Sequence, residues 1–335
     1  MKAFAIETYG KTSPVLPLDL PEPALTPGDV RVRIEAAALN VLDSKIRDGA
    51  FKAFLPYKMP LILGNDLAGI VTELGAGATR FAVGDRVYGR PDDRRIGTLA
   101  ESICVAETDL ARAPGNVSVE EAASLPLVAL TAWQALVERA KVKPGQKVFI
   151  HAGSGGVGTV AIQLAKHLGA TVATTCSTRN IDLVKSLGAD VAIDYTKQDF
   201  AKELSGYDVV LNSLDAKTLH RSLDVLKPGG HLVSISGPPD PAFADERRLG
   251  FVLTTVFRAL SFGIRRAARK AGVHYSFLFM RADGRQLADI TKLVEAGVIK
   301  PVIDRIFPFE QTHEALAYLE RGSARGKIVV SIGEA

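Results

Sequence analysis

The stretch that decides the fold is VFIHAGSGGVGTVAIQLAKHLGATVATTC, residues 148–176. It begins with an apolar strand pattern over 148–152, passes through a glycine-rich turn into a helical pattern over 157–168, and returns to a strand pattern over 171–176. This order predicts a βαβ unit, in which a helix joins two parallel strands.

The turn contains the pattern G-x-G-x-x-G as Gly153, Gly155 and Gly158. The first glycine allows a tight turn, the second lets the backbone approach a pyrophosphate, and the third lets the helix pack on the strand. The N–H groups and the positive dipole end of the helix then face the phosphates. We therefore predict a dinucleotide site; the alternative is a glycine-rich strand-to-helix turn that binds no ligand.

Strands and helices continue to alternate beyond this unit. Apolar strand patterns cover 191–195, 207–214 and 231–237, and helical patterns cover 180–187 and 216–226. Continuous apolar strands separated by helices predict a parallel sheet that is covered on both faces. We therefore expect an α/β fold, with a Rossmann doubly wound sheet over residues 123–280.

The N-terminal part has a different pattern of short strands and turns. Strand patterns cover 1–7, 30–39, 68–75 and 85–90, with breaks at Pro27-Gly28 and Gly84-Asp85. This spacing predicts a small, mostly antiparallel β-barrel. Further short strands near the C-terminus need a sheet to pair with. We therefore assign residues 1–122 and 281–335 to one domain.

The end of the second strand of the βαβ unit indicates which dinucleotide is bound. An NAD site normally has an acidic residue there, whereas Thr175-Cys-Ser-Thr-Arg-Asn180 has none before Asp182. Ser177 and Arg179 can instead bind a 2′-phosphate, which favours NADPH. The alternative for Arg179 is an ordinary solvated residue at a helix start.

Charge and cysteine content exclude several classes of protein. The formal net charge is +4, but residues 247–270 hold seven basic residues and no acidic one, so the chain without them would carry −3. The two cysteines, Cys104 and Cys176, exclude a disulfide framework and a zinc site built from cysteines. The sequence has no recognisable signal peptide or membrane span, and we expect a soluble, cytoplasmic protein.

The basic segment 247–270 has a helical pattern of its own. Its apolar stripe consists of Leu249, Val252, Val256, Leu260 and Ile264. We expect a surface helix that packs against the nucleotide domain. A cap over the substrate cleft is the second interpretation and a helix on a membrane surface the third, and nucleic acid ranks last.

Several motifs, taken together, resemble the medium-chain dehydrogenase/reductase superfamily across nearly the whole chain. They are Asn40-Val-Leu-Asp43, Gly64-Asn-Asp-Leu-Ala-Gly69, Val83-Gly-Asp-Arg-Val87, Leu187-Gly-Ala-Asp190, Pro228-Gly-Gly230 and Gly326-Lys-Ile-Val329. Residues 274–279 and 320–327 resemble the zinc-independent quinone oxidoreductase branch, in particular its reticulon-4-interacting-protein-like and enone-reductase-like members. The resemblance implies a GroES-like barrel beside the Rossmann domain, an active site in the cleft between them, and a homodimer joined through the nucleotide domains.

The resemblance also bears on the metal. Zinc-dependent members have Cys in place of Asn40 and His-Glu in place of Asn65-Asp66, together with a four-cysteine lobe that is missing here. We therefore expect no metal, and we interpret His151, His167 and His313 as structural residues. Without zinc, alcohol oxidation would lack its usual Lewis acid.

The same resemblance implies roles for individual residues. Asn40, Lys45 and Asn65 are assigned as catalytic residues: Asn40 near the nicotinamide, where its amide would bind an oxygen of cofactor or substrate, Lys45 facing the same cleft, and Asn65 lining the substrate cavity. Thr131 is also assigned to the neighbourhood of the nicotinamide. The remaining cofactor contacts are assigned to the backbone of Ser154, Gly156 and Val157 and to Tyr195, Leu278, Met280 and Arg325. Three alternatives stay open: Asn40 as a cap before Asp43, Tyr195 as a strand-edge aromatic residue, and a Lys45 that is not a proton donor.

The predicted function is transfer of a hydride from NADPH to a quinone or to the C=C bond of an α,β-unsaturated carbonyl compound, without a metal. In either reaction negative charge develops on an oxygen atom, where a hydrogen-bond donor or water lowers the barrier. The partner would thus be a small molecule. The alternative is a non-catalytic NADPH-binding sensor or membrane-surface scaffold.

Overall fold

The chain forms two compact units in the computed structural model, which describes residues 1–333. The first unit contains residues 1–130 and the chain from Arg281 onward, and the second contains Thr131–Met280. Within the described residues, no helix has both the length and the hydropathy needed to cross a bilayer.

The second unit contains a six-stranded parallel sheet with β9 and β12 at its centre. The strand order is β11-β10-β9-β12-β13-β14, which confirms the predicted doubly wound sheet. The strands are β9 (Lys147–Ile150), β10 (Thr171–Cys176), β11 (Val191–Asp194), β12 (Tyr207–Asn212), β13 (Leu226–Ser234) and β14 (His274–Phe277). The helices are α4 (Gly156–His167), α5 (Ile181–Ser186), α6 (Phe200–Glu203), α7 (Ala216–Arg221), α8 (Pro241–Glu246), α9 (Gly250–Leu260) and α10 (Phe262–Lys270).

The first unit contains two sheets around one apolar core. A seven-stranded sheet has the order β15-β16-β3-β5-β6-β8, with β7 also paired to β3, and a three-stranded sheet has the order β2-β1-β4. The strands are β1 (Lys2–Ile6), β2 (Leu16–Asp19), β3 (Asp29–Leu39), β4 (Leu61–Ile62), β5 (Asp66–Leu74), β6 (Arg86–Gly89), β7 (Ser102–Ala106), β8 (Leu110–Arg112), β15 (Ile303–Pro308) and β16 (Lys327–Ser331). The helices are α1 (Val41–Arg47), α2 (Val119–Ala123), α3 (Pro126–Trp133), α11 (Gly284–Glu295) and α12 (Thr312–Glu320). All pairings in these sheets are antiparallel except that of β15 with β16.

The C-terminal strand β16 is what returns the chain to the first unit. It pairs antiparallel with β3, so that Ile328 lies opposite Leu39 and Ser331 opposite Ala36. Its apolar residues Ile328 and Val330 are buried in the core that β3 and β5 also line. This pairing places Lys327, the first residue of β16, beside the end of β3.

The boundary between the units lies further along the chain than the sequence indicated. The predicted boundary after residue 122 falls inside α2, and α2 packs on β3, β5 and β16 of the first unit. Ala122 and Ala123 are both fully buried. The helix therefore stays with the barrel strands, and the division follows Leu130 within α3.

The basic segment is helical, but its packing face differs from the predicted stripe. Of the predicted stripe, Val252, Val256 and Leu260 are exposed, Leu249 is half-buried and Ile264 is buried. Phe257, Ser261 and Ala268, which lie outside the stripe, are also buried. The stripe was therefore wrong as the packing face of α9 and correct only at Ile264 in α10. The segment carries apolar residues on two sides of the helix, and periodicity alone does not distinguish which side is buried.

Candidate active site and nucleotide site

The glycine loop between β9 and α4 has no room for side chains at two of its glycines. A Cβ atom on Gly153 would lie 2.1 Å from the Thr174 hydroxyl oxygen, and one on Gly158 would lie 2.3 Å from the Ala152 carbonyl oxygen. On Gly155 a Cβ would meet its nearest neighbour at 3.4 Å. The first and third glycines are thus required for packing, whereas the second leaves open space at the start of α4.

The helix α4 begins at this open position. Gly155 is its N-cap residue and carries no side chain that could cover the first N–H groups. Ala152, just before the loop, has a φ of 52°, a conformation that L-residues rarely adopt and that is found at functional turns. The uncovered start of a 12-residue helix fits the phosphate groups of a dinucleotide.

Asn180, which the sequence analysis did not identify, links this loop to the end of β10 by hydrogen bonds. The amide nitrogen of Asn180 donates to the Ser154 hydroxyl at 2.9 Å and to the Ser177 hydroxyl at 3.3 Å. Asn180 is buried, and its amide oxygen has no hydrogen-bond partner among the described residues. Its side chain therefore positions two of the residues assigned to the cofactor.

Asp194, the acidic residue at the end of β11, is hydrogen-bonded to residues close to it in the chain. Asp194 accepts hydrogen bonds from the hydroxyl groups of Thr178 at 2.5 Å and Thr196 at 2.7 Å. These bonds, that of Thr178 first, lower the pKa of Asp194 to about 2. Beside it Arg179 and Tyr195 are exposed, Tyr195 to 63%. The ends of β10 and β11 thus present a serine, an arginine and a tyrosine side chain to solvent.

The ends of β12 and β13 add a second polar group at the same edge of the sheet. Asn212 accepts hydrogen bonds from the hydroxyl groups of Ser234 at 3.0 Å and Ser236 at 3.2 Å. Its amide nitrogen is buried without a partner among residues 1–333, so it is available to donate a hydrogen bond to a ligand. Leu278 is held to the same place by its N–H, which donates to the Ser234 carbonyl at 2.8 Å. Because carboxyl ends of parallel strands share one edge, these groups and the glycine loop face the same crevice of the unit.

The first unit contains a buried polar cluster, formed by Asn40, Asp43, Asn65, Asp66 and Lys327. The Lys327 ammonium donates to the Leu39 carbonyl at 2.8 Å, the Asn40 amide oxygen at 2.5 Å and the Asp66 carboxylate at 3.1 Å. Only 5% of the Lys327 side chain and none of the Asp66 side chain is exposed. A cation buried to this degree requires such compensation.

Asn40 is fully engaged as a donor inside this cluster. Its amide nitrogen donates to the Asp66 carboxylate at 2.9 Å and to the Ala38 carbonyl at 3.3 Å, so both amide hydrogens are used. Asn40 therefore has no free amide hydrogen for its predicted role as a direct donor to cofactor or substrate. Its backbone N–H also donates to the Asp43 carboxylate at 2.7 Å, at the start of α1.

Asp43, also in the polar cluster, has a carboxyl group with a raised pKa. Asp43 is completely buried, and this burial raises its pKa to about 6, although the hydrogen bond from Asn65 acts in the opposite direction. The amide nitrogen of Asn65 donates to Asp43 at 2.7 Å, and its amide oxygen is buried with no partner within the described chain. Asn65 therefore offers an unused acceptor.

The remaining predicted residues are Lys45, Thr131, Met280 and Arg325. Lys45 lies on the exposed side of α1, whereas Asp43 and Ile46 on the same helix are buried. Thr131 is buried in α3, Met280 is buried just after β14, and Arg325 is exposed before β16. The roles of these four residues stay predictions.

His151 agrees with the structural role given to it. It is 2% exposed, lies against the rings of Phe149 and Phe200, and its Nε2 atom is 2.9 Å from the Ser222 hydroxyl. Burial lowers the pKa of His151 to about 3, which keeps it neutral.

A zinc ion fits the donors of the polar cluster poorly. Structural and catalytic zinc sites use cysteine, histidine and carboxylate ligands, whereas two of the groups here are amides and the fifth is an ammonium. Asp66 and the Asn40 oxygen both already bind that ammonium. Across residues 1–333, no group of three or more His, Cys, Asp or Glu side chains is placed to hold a metal ion.

Two protein-family models match the chain. The model for the alcohol dehydrogenase GroES-like domain matches residues 26–115, and the model for zinc-binding dehydrogenases matches residues 187–330. The chain is 35% identical to NAD(P)H oxidoreductase RTN4IP1, mitochondrial, of Danio rerio, over all of this chain and 92% of that one. It is also 35% identical to the NADPH-dependent alkenal/one oxidoreductase, chloroplastic, of Arabidopsis thaliana, over 98% of this chain and 79% of that one.

The quinone oxidoreductase from Coxiella burnetii is a solved structure with the same fold, with a TM-score of 0.84, 31% identity and 99% of each chain covered. Identity of this level over nearly complete chains, in both domains, shows common membership. The chain belongs to the medium-chain dehydrogenase/reductase superfamily, in its branch of quinone and enone oxidoreductases.

Proposed function

We propose that the chain uses NADPH to reduce a quinone or the C=C bond of an α,β-unsaturated carbonyl compound, and that no metal takes part. The chain is an NADPH-dependent oxidoreductase by its relatives, two of which are named for NAD(P)H or NADPH. A bound nicotinamide supplies a hydride to an electron-poor carbon or quinone ring. The substrate class and the metal-free reaction are the parts that require a test.

The residues of the second unit that would hold NADPH are those at the crevice edge. The start of α4 would take the pyrophosphate, because its N–H groups lie behind the open Gly155. Ser177 and Arg179 would take the 2′-phosphate, and the unpaired nitrogen of Asn212 offers a further donor. Asn180 keeps Ser154 and Ser177 in place for this role.

The residues of the first unit would act on the substrate through the polar cluster. Lys327 binds Asn40 and Asp66 and so fixes the amide plane and neutralises a buried carboxylate. Asn65 keeps an unused acceptor, which suits a donor such as the hydroxyl of a reduced quinone or a water molecule. The cluster would therefore orient the substrate.

A single observation carries the metal-free part of the proposal: the Lys327 ammonium is bound by Asn40 and Asp66. By the family resemblance, zinc-dependent members have a metal ligand at the position of Asn40. A second cation against the same oxygen atoms would be repelled. We therefore expect that dialysis against a chelator leaves the rate unchanged, and a rate that zinc restores would contradict this part.

Stopped-flow mixing of NADPH-loaded protein with quinones and enones tests the substrate class. We expect at least one of these compounds to oxidise the bound cofactor much faster than it oxidises free NADPH, which is the control. If no compound does so, the reductase proposal fails, and a non-catalytic NADPH sensor or membrane-surface scaffold becomes the better explanation.

The choice of NADPH has its own test in Arg179→Ala. A charge-assisted hydrogen bond contributes about 1.5–3 kcal/mol, so we expect Kd for NADPH to rise roughly 10- to 100-fold. NADH should bind almost as before, because it has no 2′-phosphate. Arg94→Ala, an exposed arginine of the first unit, is the control. Equal losses for both cofactors would refute the assignment.

A homodimer is a further part of the proposal. Strand β14 is one of the two outer strands of the six-stranded sheet, and its outer edge would pair with a second copy. Light scattering on the purified chain would measure the mass directly. A monomer at micromolar concentration would contradict a stable dimer.

A further inference from the structure

Five large apolar side chains project from α9 and the start of α10 into solvent. They are exposed to 83% (Phe251), 73% (Val252), 44% (Val256), 60% (Leu260) and 53% (Phe262), and we name them the apolar patch. A group of large exposed apolar side chains close together in the chain is typical of an interaction site.

The apolar patch is not needed to hold the helices in place. Phe257 is buried in α9, Ser261 between the two helices, and Ile264 and Ala268 in α10. The Phe257 ring lies 5.9 Å from that of Phe243 in α8, and Ile264 and Ala268 belong to the apolar core of the second unit. The two helices are therefore packed on the second unit while the patch stays uncovered.

The same pair of helices carries a concentration of positive charge. Arg258, Arg266, Arg269 and Lys270 are exposed and Arg265 is half-buried, and we name these five the basic set. Residues 247–270 contain no acidic side chain. Exposed apolar and basic side chains on one short helical segment are characteristic of helices that lie in the headgroup region of a bilayer.

We propose that α9 and α10 form a docking surface for an anionic lipid bilayer. The apolar patch enters the headgroup boundary, and the basic set binds lipid phosphates. An 11-residue helix such as α9 is about 16 Å long, roughly half the thickness of the hydrocarbon core, so it lies in the plane of the surface.

Charge favours lipid over a second copy of the chain as the occupant. A two-fold interface brings the same surface of each copy together. Here it would bring a basic set next to another basic set, with no acidic residue in 247–270 to compensate it. An anionic bilayer supplies the opposite charge to all five residues.

Co-sedimentation of the full chain with vesicles tests the proposal. We expect binding to phosphatidylcholine vesicles that contain phosphatidylglycerol, at least tenfold weaker binding to pure phosphatidylcholine, and a decrease with added salt. Val252→Ser combined with Leu260→Ser should weaken the binding at least tenfold, and Arg266→Glu combined with Arg269→Glu should do the same.

Two matched controls keep the result specific. Val83→Ser changes a valine of the first unit that is 64% exposed, and Arg94→Glu changes an exposed arginine there, so both should leave vesicle binding intact. NADPH binding reports that every variant is folded. The proposal is overturned if wild-type protein does not bind anionic vesicles or if the controls weaken binding equally. It is also overturned if Val252→Ser converts a dimer to a monomer without changing vesicle binding.

Discussion

The glycine loop of the second unit and the polar cluster of the first unit are built from different parts of the chain. The loop is six consecutive residues, 153–158, and its geometry depends on backbone that leaves no space for Cβ atoms at Gly153 and Gly158. The cluster is five side chains, and Lys327 is separated from Asn40 by 287 residues. The glycine loop should therefore be sensitive to added side-chain atoms, and the polar cluster to changes of charge.

The largest effect is expected for Lys327→Met, which would leave the carboxylate of Asp66 buried without its cation. Breaking a buried ion pair from one side costs about 3–5 kcal/mol of unfolding free energy. Chemical denaturation of the variant measures this loss. The double variant Lys327→Met with Asp66→Asn should recover most of it, because neither charge is left. A single variant as stable as the wild type would show that the cluster is not held by charge.

The second effect is a pH dependence that comes from Asp43. Its folded pKa of about 6 lies above the ordinary value of 3.8, so the folded chain holds the proton more tightly than the unfolded chain. The carboxyl group therefore lowers stability as pH rises from about 4 to 6, by up to about 3 kcal/mol. Denaturation at pH 4 and pH 7 should show the stability of Asp43→Asn rising relative to wild type across this window. An equal pH dependence in both proteins would refute the buried carboxyl group as its source.

A smaller effect on stability, but a large one on the cofactor, is expected for Gly158→Ala. The added Cβ would lie 2.3 Å from the Ala152 carbonyl oxygen, and overpacking of this kind costs about 1–3 kcal/mol. Because the loop must shift, Kd for NADPH should rise at least tenfold, as measured by fluorescence titration. Gly263→Ala in α10 is the control, since a Cβ there meets nothing within 4 Å. Unchanged NADPH affinity in Gly158→Ala would show that NADPH binding does not depend on the close packing of the loop at this glycine.

The smallest effect is expected for Asn180→Ala, which removes side-chain bonds behind the glycine loop. Loss of the bonds to Ser154 and Ser177 should cost about 1 kcal/mol and weaken NADPH binding a few-fold. Asn116→Ala removes two comparable bonds, to Val294 and Glu295, in the first unit. That control should lose stability without losing NADPH affinity, and an equal loss of affinity in both would contradict the role of Asn180.

The nucleotide unit could be predicted from the sequence because its signals are local. The glycine pattern and the alternation of strands and helices each fit within a few dozen residues, and the structure has them at nearly the predicted bounds, for example α4 at Gly156–His167. Asn180 was missed because a buried asparagine at a helix start has the same sequence pattern as an ordinary cap.

The polar cluster could not be predicted in the same way. Lys327 was visible only as part of a family motif, and nothing near it in sequence indicates that it binds Asn40 and Asp66. The available signal is a lysine that opens an apolar strand, KIVVS, since lysine is almost never buried without a partner. The packing face of α9 was wrong for a related reason: apolar residues surround that helix, and only the anchoring of Phe257 decides which side is inside.

The return of β16 to β3 also has a consequence for synthesis of the chain. Asp66 leaves the ribosome 261 residues before Lys327. At roughly 5–20 residues per second, that interval lasts on the order of 13–52 s. The second unit is complete before β16 exists, so it can fold while the barrel still lacks a strand and the cation of its cluster. The edge of β3 that β16 later covers therefore stays unpaired throughout this interval.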